Sequence, residues 1–221
     1  MSETIDAAGV AAWLRAFAQA VAERRDELTA LDAAIGDADH GINMDRGLQA
    51  VIAKLDAAGD ADAAGGETVG ALLKSVGMTL VSTVGGAAGP LYGTFFLRAA
   101  ADAGDAATLT PAQWSTAFTA GVAGVQDRGK AEPGDKTMVD ALVPAAAALA
   151  AAVAEGAPAA EALGRAAAAA RQGMTATIPL VARKGRASYL GERSAGTQDP
   201  GASSSWLLVE TAAALVVETE P

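Results

Sequence analysis

The sequence predicts an all-α fold, and three observations support this prediction. Hydrophobic residues make up 51% of the 221 residues, but aromatic residues only 4%. Much of the apolar content is alanine, which has the highest helix propensity, whereas β-sheets prefer branched and aromatic side chains. Apolar residues also recur at spacings of three and four, as on one face of a helix. We therefore expect one domain over residues 1–221, built as a bundle or barrel of eight antiparallel amphipathic helices.

The predicted helices follow one another with short connections. The first carries an apolar stripe from Val10 and ends near Gly36. The fifth starts at Pro111, with Thr110 as its N-cap. The other six are expected over about residues 43–55, from 69 to the Gly85–Gly86 pair, and over 91–101, 137–155, 158–177 and 203–218. The serine run 203–205 could cap the last of these helices.

Charge and composition exclude several classes of protein. The formal net charge of −10 argues against a nucleic-acid partner or an anionic membrane surface, since both attract clustered cations. The absence of cysteine excludes disulfides, zinc-thiolate sites and a thiol nucleophile. The N-terminus lacks the pattern of a secretory signal, and the alanine-rich stretch 138–160 is interrupted by Asp140, Pro144 and Glu155. We expect a cytoplasmic protein without a membrane span.

Two polar connections of opposite charge stand out. The stretch "LDAAIGDADHGINMDRG", residues 31–47, contains four aspartates and the only histidine of the chain. The stretch "ARKGRASYLGERSAGTQDPGASSS", residues 182–205, is rich in cations. Long loops of this composition in a helical bundle are either disordered or functional. Their opposite charges indicate that the two stretches bind one ligand together, an anion accompanied by a metal ion.

The acidic stretch is a candidate metal site. Asp32, Asp37 and Asp39 cannot share one face of a continuous helix, but they can converge if the helix ends near Gly36. Converging carboxylates repel one another unless a cation lies between them, and Mg²⁺ prefers oxygen ligands alongside phosphate. From spacing alone, an ordinary solvated turn remains the alternative. His40 is solitary, which is more typical of a structural residue than of a histidine metal site.

Two glycine-containing stretches bear on phosphate binding. "STVGGAAGPLYG", residues 82–93, places paired glycines before a helix start, where backbone amides attract phosphate. Such turns also join helices without any ligand. "GVQDRGKA", residues 124–131, resembles a P-loop, but the segment before it is helical and Ala131 lacks the required hydroxyl. We interpret the second match as chance.

Together, four stretches closely resemble the L-subunit family of dihydroxyacetone kinases, the nucleotide-binding subunits called DhaL. They are "LDAAIGDADHGINMDRG", "GMTLVSTVGGAAGPLYGTFF", "DRGKAEPGDKTM" and "ARKGRASYLGERSAGTQDPGASS". They occur in the order of the family and cover nearly the whole chain. The resemblance implies a barrel of eight antiparallel helices with nucleotide bound at one end.

The resemblance also implies a ligand set. The cofactors are ADP, transiently ATP, and two Mg²⁺ ions held by Asp32, Asp37 and Asp39. Arg186 is the expected catalytic group, since it would neutralise phosphate charge. The nucleotide contacts of the family correspond to His40, Gly41, Ile42, Asn43, Ala87, Ala88, Gly129, Met138, Arg186, Asp199, Pro200 and Gly201. Ala88 departs from the serine common in the family, and we expect that the lost hydroxyl weakens binding by about 1 kcal/mol.

The activity implied by the resemblance is a phosphoryl relay. ADP stays bound as a coenzyme, receives a phosphoryl group from the phosphohistidine protein DhaM, and passes it to dihydroxyacetone on the DhaK subunit. Two alternatives stay open: an ATP-exchanging kinase subunit for a related short ketose, and a nucleotide-sensing protein that docks on a transcriptional regulator. The sequence leaves open the exact ketose, the donor, and whether the chain is a monomer or a homodimer.

Overall fold

The structure is a computed structural model that describes residues 4–58 and 68–218. Within these ranges the chain forms nine α-helices, one 3₁₀ helix and two very short strands. The elements in chain order are β1 (Ile5–Asp6), α1 (Ala7–Glu23), α2 (Arg25–Ile35), α3 (His40–Ala58), α4 (Val69–Thr83), α5 (Ala88–Ala103), β2 (Thr108–Leu109), α6 (Pro111–Gly129), α7 (Val139–Ala154), α8 (Ala159–Ala176), the 3₁₀ helix (Arg186–Ser194) and α9 (Pro200–Glu218).

Eight of these helices close into a ring. Helix α1 packs against α3, and each helix from α3 onward packs against the next one until α9 returns to α1. Chain neighbours are thus mostly neighbours in space, as short connections require. Helix α2 packs against α3, α9 and the 3₁₀ helix at one end of the ring. The predicted all-α class and the helical barrel are confirmed.

The prediction of one continuous first helix is wrong. The helix breaks at Arg24, whose backbone angles are φ −106° and ψ 14°. Leu28 and Ile35 are buried like the stripe of α1, so apolar periodicity continues through the break. The two stripes pack against different elements, however, because α1 faces the barrel interior and α2 faces α3 and the 3₁₀ helix. Periodicity cannot show that change of direction.

Helix α9 begins at Pro200, three residues before the predicted start. Its first turn is capped by Asp199, whose Oδ2 accepts a hydrogen bond from the N–H of Ala202 at 2.7 Å. The predicted capping serines, 203–205, therefore lie inside the helix and are buried. Because the ring buries this serine run among apolar side chains, the run forms part of the helix and not a turn.

Helix α7 begins two residues later than predicted, at Val139. The turn before it is held by Asp140, whose carboxylate accepts hydrogen bonds from the N–H of Gly134 at 2.5 Å and of Thr137 at 2.7 Å. By contrast, the predicted start of α6 at Pro111 is confirmed, and the N-cap Thr110 forms a capping box with Gln113 in the first turn.

The few aromatic residues are concentrated inside the barrel. Trp13 packs edge-on against Trp114, with ring centroids 5.4 Å apart, and Phe95 packs edge-on against Phe118 at 5.3 Å. The indole N–H of Trp13 donates to the carbonyl of Leu208 at 2.8 Å, which links α1 to its neighbour α9 and closes the ring. These side chains supply a large share of the buried apolar surface.

The alanine-rich part of the chain forms barrel wall. Helix α7 packs closely on α8, and Ala141, Ala145 and Ala152 are fully buried. No helix among residues 4–58 and 68–218 has both the length and the apolar character that crossing a membrane requires.

Two short strands were not predicted from the sequence pattern. Ile5 pairs with Leu109 in a two-residue antiparallel ladder between β1 and β2. This pair ties the start of α1 to the connection between α5 and α6.

Candidate functional site

A cavity of about 390 Å³ lies at one end of the ring. Helices α3, α5, α7 and α9 begin at this end, while α4 and α6 end there, so helices alternate in direction around it. A helix N-terminus presents unpaired N–H groups and the positive end of the helix dipole. Four such termini converging on one cavity favour an anionic ligand.

The three aspartates of the acidic loop meet at the cavity. One carboxylate oxygen of Asp32, Asp37 and Asp39 can be chosen so that all three atoms lie within 4.8 Å of one another. The chain reverses at Ala38, which adopts a left-handed backbone with φ 62°. Asp32 is buried, and its Oδ2 accepts hydrogen bonds from the N–H groups of Asp39 at 2.8 Å and His40 at 3.1 Å.

This donor set suits a magnesium ion. Three carboxylates at such short separation repel one another, so a divalent cation among them is favourable. All three ligands are oxygens, which Mg²⁺ prefers, and the open side of the cavity leaves room for water or phosphate oxygens. A side chain at Gly36 would displace the Asp32 carboxylate, because a Cβ there would lie 2.0 Å from Oδ1 of Asp32.

The structure brings the cationic loop onto the acidic one. Arg186, at the start of the 3₁₀ helix, places its Nε 2.9 Å from Oδ2 of Asp37. Lys184 also lines the cavity. Arg183 instead approaches Asp135 at 4.0 Å, and neither Arg183 nor Arg193 is a lining residue. The stretch 182–205 contains four cationic residues, and two of them thus line the cavity.

Another part of the cavity lining is apolar. It is formed by Leu91, Val125, Met138 and Val139, beside Gly129. A Cβ at Gly129 would come within 3.3 Å of Leu91, so the glycine widens this part of the cavity. A cavity with one apolar wall and one charged wall suits a ligand with a flat apolar end and an anionic end.

A family model described as the DAK2 domain matches residues 34–214. This chain belongs to the DAK2 family. It is 46% identical to the PEP-dependent dihydroxyacetone kinase, ADP-binding subunit DhaL of Escherichia coli (strain K12), over 90% of this chain and 91% of that protein. It is 41% identical to the PEP-dependent dihydroxyacetone kinase 2, ADP-binding subunit DhaL of Listeria innocua, over 95% of both chains.

A solved structure supports the same assignment. The dihydroxyacetone kinase from C. freundii in complex with AMP-PNP and Mg²⁺ superposes with a TM-score of 0.70 at 26% identity, over 93% of this chain and 33% of that one. The predicted resemblance to the L subunit of dihydroxyacetone kinase is confirmed, and the family is one of phosphotransferases.

Most of the site residues predicted for this DAK2 chain do line the cavity. They are Asp32, Asp37, Asp39, His40, Asn43, Ala87, Ala88, Gly129, Met138, Arg186, Asp199, Pro200 and Gly201. Ala87 and Ala88 open α5, which has no side-chain cap, so its first amides are free to bind a ligand. Backbone amides can therefore act where the family carries a serine hydroxyl.

Two predicted nucleotide contacts, Gly41 and Ile42, are not lining residues. Gly41 packs on α2, since a Cβ there would lie 2.1 Å from the carbonyl oxygen of Arg25. Ile42 is 51% exposed and faces a shallow groove beside Thr29. Successive residues of a helix point about 100° apart, so the consecutive run after Asp39 cannot face the cavity as a whole.

Sequence reasoning missed a buried polar network behind the DAK2 cavity. His40 Nε2 lies 2.9 Å from Ser204 Oγ, and the hydroxyl of Tyr92 lies 2.7 Å from Ser204 Oγ and 2.9 Å from Ser205 Oγ. Burial raises the pKa of Tyr92 to about 12. Burial also lowers the pKa of His40, although the negative charge of nearby Asp32 opposes this shift. The only signal in the sequence was a serine run inside an apolar helix.

A second group that was not predicted from the sequence is a pair of buried ionisable residues near the starts of α7 and α9. Burial raises the pKa of Asp199 to about 7, and the positive charge of Lys136 opposes that increase. Lys136 is also buried and lines the cavity. A lysine in a proline–glycine turn looks like a solvated residue in the sequence, and nothing in its spacing indicates burial.

Proposed function

We propose that this chain is the nucleotide-carrying subunit of a dihydroxyacetone kinase and that it holds ADP with Mg²⁺ in the cavity. One observation carries the proposal: the oxygens of Asp32, Asp37 and Asp39 lie within 4.8 Å of one another beside Arg186. The relatives that match along their full length are named ADP-binding subunits of such kinases. The solved relative holds AMP-PNP and Mg²⁺, which is consistent with the same kind of ligand.

The cavity offers a place for each part of the nucleotide. Asp32, Asp37 and Asp39 would hold two Mg²⁺ ions, which supply charge neutralisation for a diphosphate. The free amides at the start of α5 would bind phosphate oxygens. The apolar wall that contains Leu91 and Met138 would take the base.

The role of the chain in the reaction is to bind and orient rather than to react covalently. Phosphoryl transfer depends mainly on alignment and on neutralised phosphate charge. Arg186 contributes positive charge at the mouth of the cavity, where it would offset the charge of the phosphates. We propose that DhaM supplies the phosphoryl group, that dihydroxyacetone on DhaK receives it, and that this chain carries it between them.

The proposal is tested by removing one metal ligand. Asp37→Asn keeps the size of the side chain but removes its charge, so we expect Mg²⁺-dependent ADP binding to be lost in isothermal titration calorimetry. Asp102→Asn is the matched control, because Asp102 is exposed near the other end of α5. Native mass spectrometry of the unaltered chain should show ADP and two Mg²⁺. Equal ADP affinity of the Asp37 variant and the control would contradict the proposal.

A second candidate function keeps the site and changes the donor. The C. freundii kinase holds an ATP analogue with Mg²⁺, so this chain could serve an ATP-dependent kinase of a short ketose by exchanging ADP for ATP. The nucleotide dissociation rate separates the two candidates. A coenzyme stays bound through many turnovers, whereas an exchanged nucleotide leaves in each one.

A further inference from the structure

Lys136 is a buried cation that the proposed chemistry does not use. Its side chain is 1% exposed, and the residue lies between the loop at 130–135 and the start of α7. Its backbone is left-handed, with φ 63°. Glycine adopts this conformation more easily than any residue with a side chain. A lysine here indicates that its side chain makes interactions that offset the unfavourable backbone.

Those interactions are hydrogen bonds to main-chain carbonyls. Nζ of Lys136 donates to the carbonyl oxygens of Thr177 at 2.8 Å, Thr197 at 2.5 Å and Ile178 at 3.5 Å. An ammonium group has three N–H donors, so these carbonyls account for all of them. Burial lowers the pKa of Lys136, and the negative charges of Asp199 and Asp140 oppose that shift.

The three carbonyls lie at the two ends of one segment, residues 177–199. Thr177 directly follows α8, and Thr197 comes shortly before α9. Further bonds close the base of this segment: Gly196 N–H donates to the carbonyl of Ile178 at 2.7 Å, and Asp199 N–H donates to Oγ1 of Thr177 at 3.0 Å. The segment is therefore a closed loop whose base surrounds the ammonium of Lys136.

This loop carries the cation that faces the metal site. Arg186 lies inside it and pairs with Asp37, and Asp199 at its end opens the helix that bounds the cavity. The base of the loop therefore determines where both groups stand. A loop fixed only by its exposed residues would hold them less precisely, since exposed ion pairs contribute little.

We propose that Lys136 is a positioning residue, whose ammonium joins the two ends of the segment 177–199 and so holds Arg186 and Asp199 at the cavity. The role of Lys136 in ordering the segment is independent of the function proposed above. Only the consequence for ADP binding rests on the function proposed above.

The test replaces the ammonium and keeps the stem. Lys136→Met retains the length of the side chain but removes every donor. In hydrogen–deuterium exchange of the full chain without nucleotide, we expect peptides covering 177–199 to lose protection by about tenfold or more. Protection in α4 and α5 should stay unchanged, and Mg²⁺–ADP affinity should fall in the same variant.

The matched control is Lys130→Met. Lys130 is also a lysine with a left-handed backbone, φ 50°, but it is exposed and follows α6. We expect this variant to exchange like the unaltered chain. Equal protection of 177–199 in both variants would overturn the proposal. If the unaltered chain fails to bind ADP, the proposed function fails while the exchange result still decides the role of Lys136.

A second variant separates the ammonium from general stability. Lys136→Gly suits the left-handed backbone and removes the whole side chain, and the site borders the cavity. Added n-butylammonium, which replaces the missing atoms, should restore protection of 177–199 in a concentration-dependent way, whereas n-butanol should not. Equal effects of the two compounds would contradict a role for the charge. Loss of helical circular dichroism in both Lys136 variants would show support of the entire barrel and also overturn the assignment.

Discussion

Ala38 determines whether the acidic loop acts as one site. Its left-handed backbone, φ 62°, turns the chain between Asp37 and Asp39. Such a conformation costs a residue with a Cβ about 1–2 kcal/mol. The carboxylate of Asp32 offsets this cost by accepting the N–H groups of Asp39 and His40. Asp32 therefore shapes the loop in addition to offering a metal ligand.

At the residue scale, the buried network behind His40 contributes to stability. Tyr92→Phe removes a hydroxyl that lies 2.7 Å from Ser204 Oγ and 2.9 Å from Ser205 Oγ. Buried polar groups that lose a partner are costly, so we expect the free energy of unfolding to fall by about 1–2 kcal/mol. Urea unfolding measures this change. Tyr189→Phe is the control, because Tyr189 is 88% exposed and its hydroxyl is solvated, and an equal loss there would refute the explanation.

Asp199 makes stability depend on pH. Its pKa is about 7 in the folded chain, because burial disfavours the carboxylate, against 3.8 for an unperturbed group. Between these values the folded state holds a proton that the unfolded state has lost. The contribution of this group to stability is therefore full below about pH 4 and is lost as the pH rises through about 7.

The corresponding experiment compares the chain with Asp199→Asn. The amide stays neutral at every pH and can still accept the N–H of Ala202. We expect the unaltered chain to lose stability relative to the variant as the pH rises from about 4.5 to about 7.5. Urea unfolding at several pH values measures the difference. Parallel pH profiles would show that Asp199 ionises normally.

At the scale of elements, the break at Arg24 determines the direction and position of α2. Because α2 leaves the line of α1, its last turn carries Asp32 and Gly36 to the mouth of the ring. A single straight helix would carry these residues past the barrel. The helix N-termini then supply the positive ends that face the same cavity.

Helix α7 and helix α8 approach so closely that one position admits only glycine. A Cβ at Gly173 would lie 1.9 Å from the carbonyl oxygen of Asp140, which is main chain and cannot rotate away. We expect Gly173→Ala to destabilise the chain by about 1–3 kcal/mol, because α8 must shift. Gly164→Ala on the same helix has open space and should stabilise it by up to about 1 kcal/mol. Thermal unfolding of both variants checks this pair, and equal effects would contradict close packing at Gly173.

At the scale of the whole molecule, charge is distributed unevenly. The chain carries a net charge of −10, yet Arg128, Lys136, Lys184 and Arg186 all line the cavity. The same lining carries Asp32, Asp37, Asp39 and Asp199, so these cations offset the local negative charge. Mg²⁺ held by the carboxylates would leave the cleft positive, and a cleft of positive potential attracts a polyphosphate even in an acidic protein.

The whole chain should not complete a kinase reaction alone. Relatives of matching length are named subunits, and this chain corresponds to only 33% of the C. freundii kinase. With ATP and dihydroxyacetone, we expect the purified chain to form no phosphorylated ketose in a coupled assay. The single-chain kinase serves as the positive control. Sustained turnover by this chain alone would contradict the carrier role that we propose.

Some parts of the fold and site could be predicted because they depend on local sequence. The capping residue Thr110 with Pro111 marked the start of α6, and apolar periodicity located the barrel helices after the first to within three residues. Asp32, Asp37 and Asp39 were recognisable because donors of one type were concentrated near a helix end. Lys136 and Tyr92 were not, since their importance lies in contacts with residues 177–197 and 204–205, far along the chain.

The sequence by itself determined the all-α class, the barrel helices and the family, because helix propensity, periodicity and motif order are properties of short stretches. Only the tertiary structure decided that the first helix breaks at Arg24, that Gly41 and Ile42 point away from the cavity, and that Arg186 meets Asp37. These features depend on ring closure, which brings together residues about 150 positions apart. Burial then raises the pKa of Asp199 and lowers that of Lys136, and burial exists only once the ring has closed.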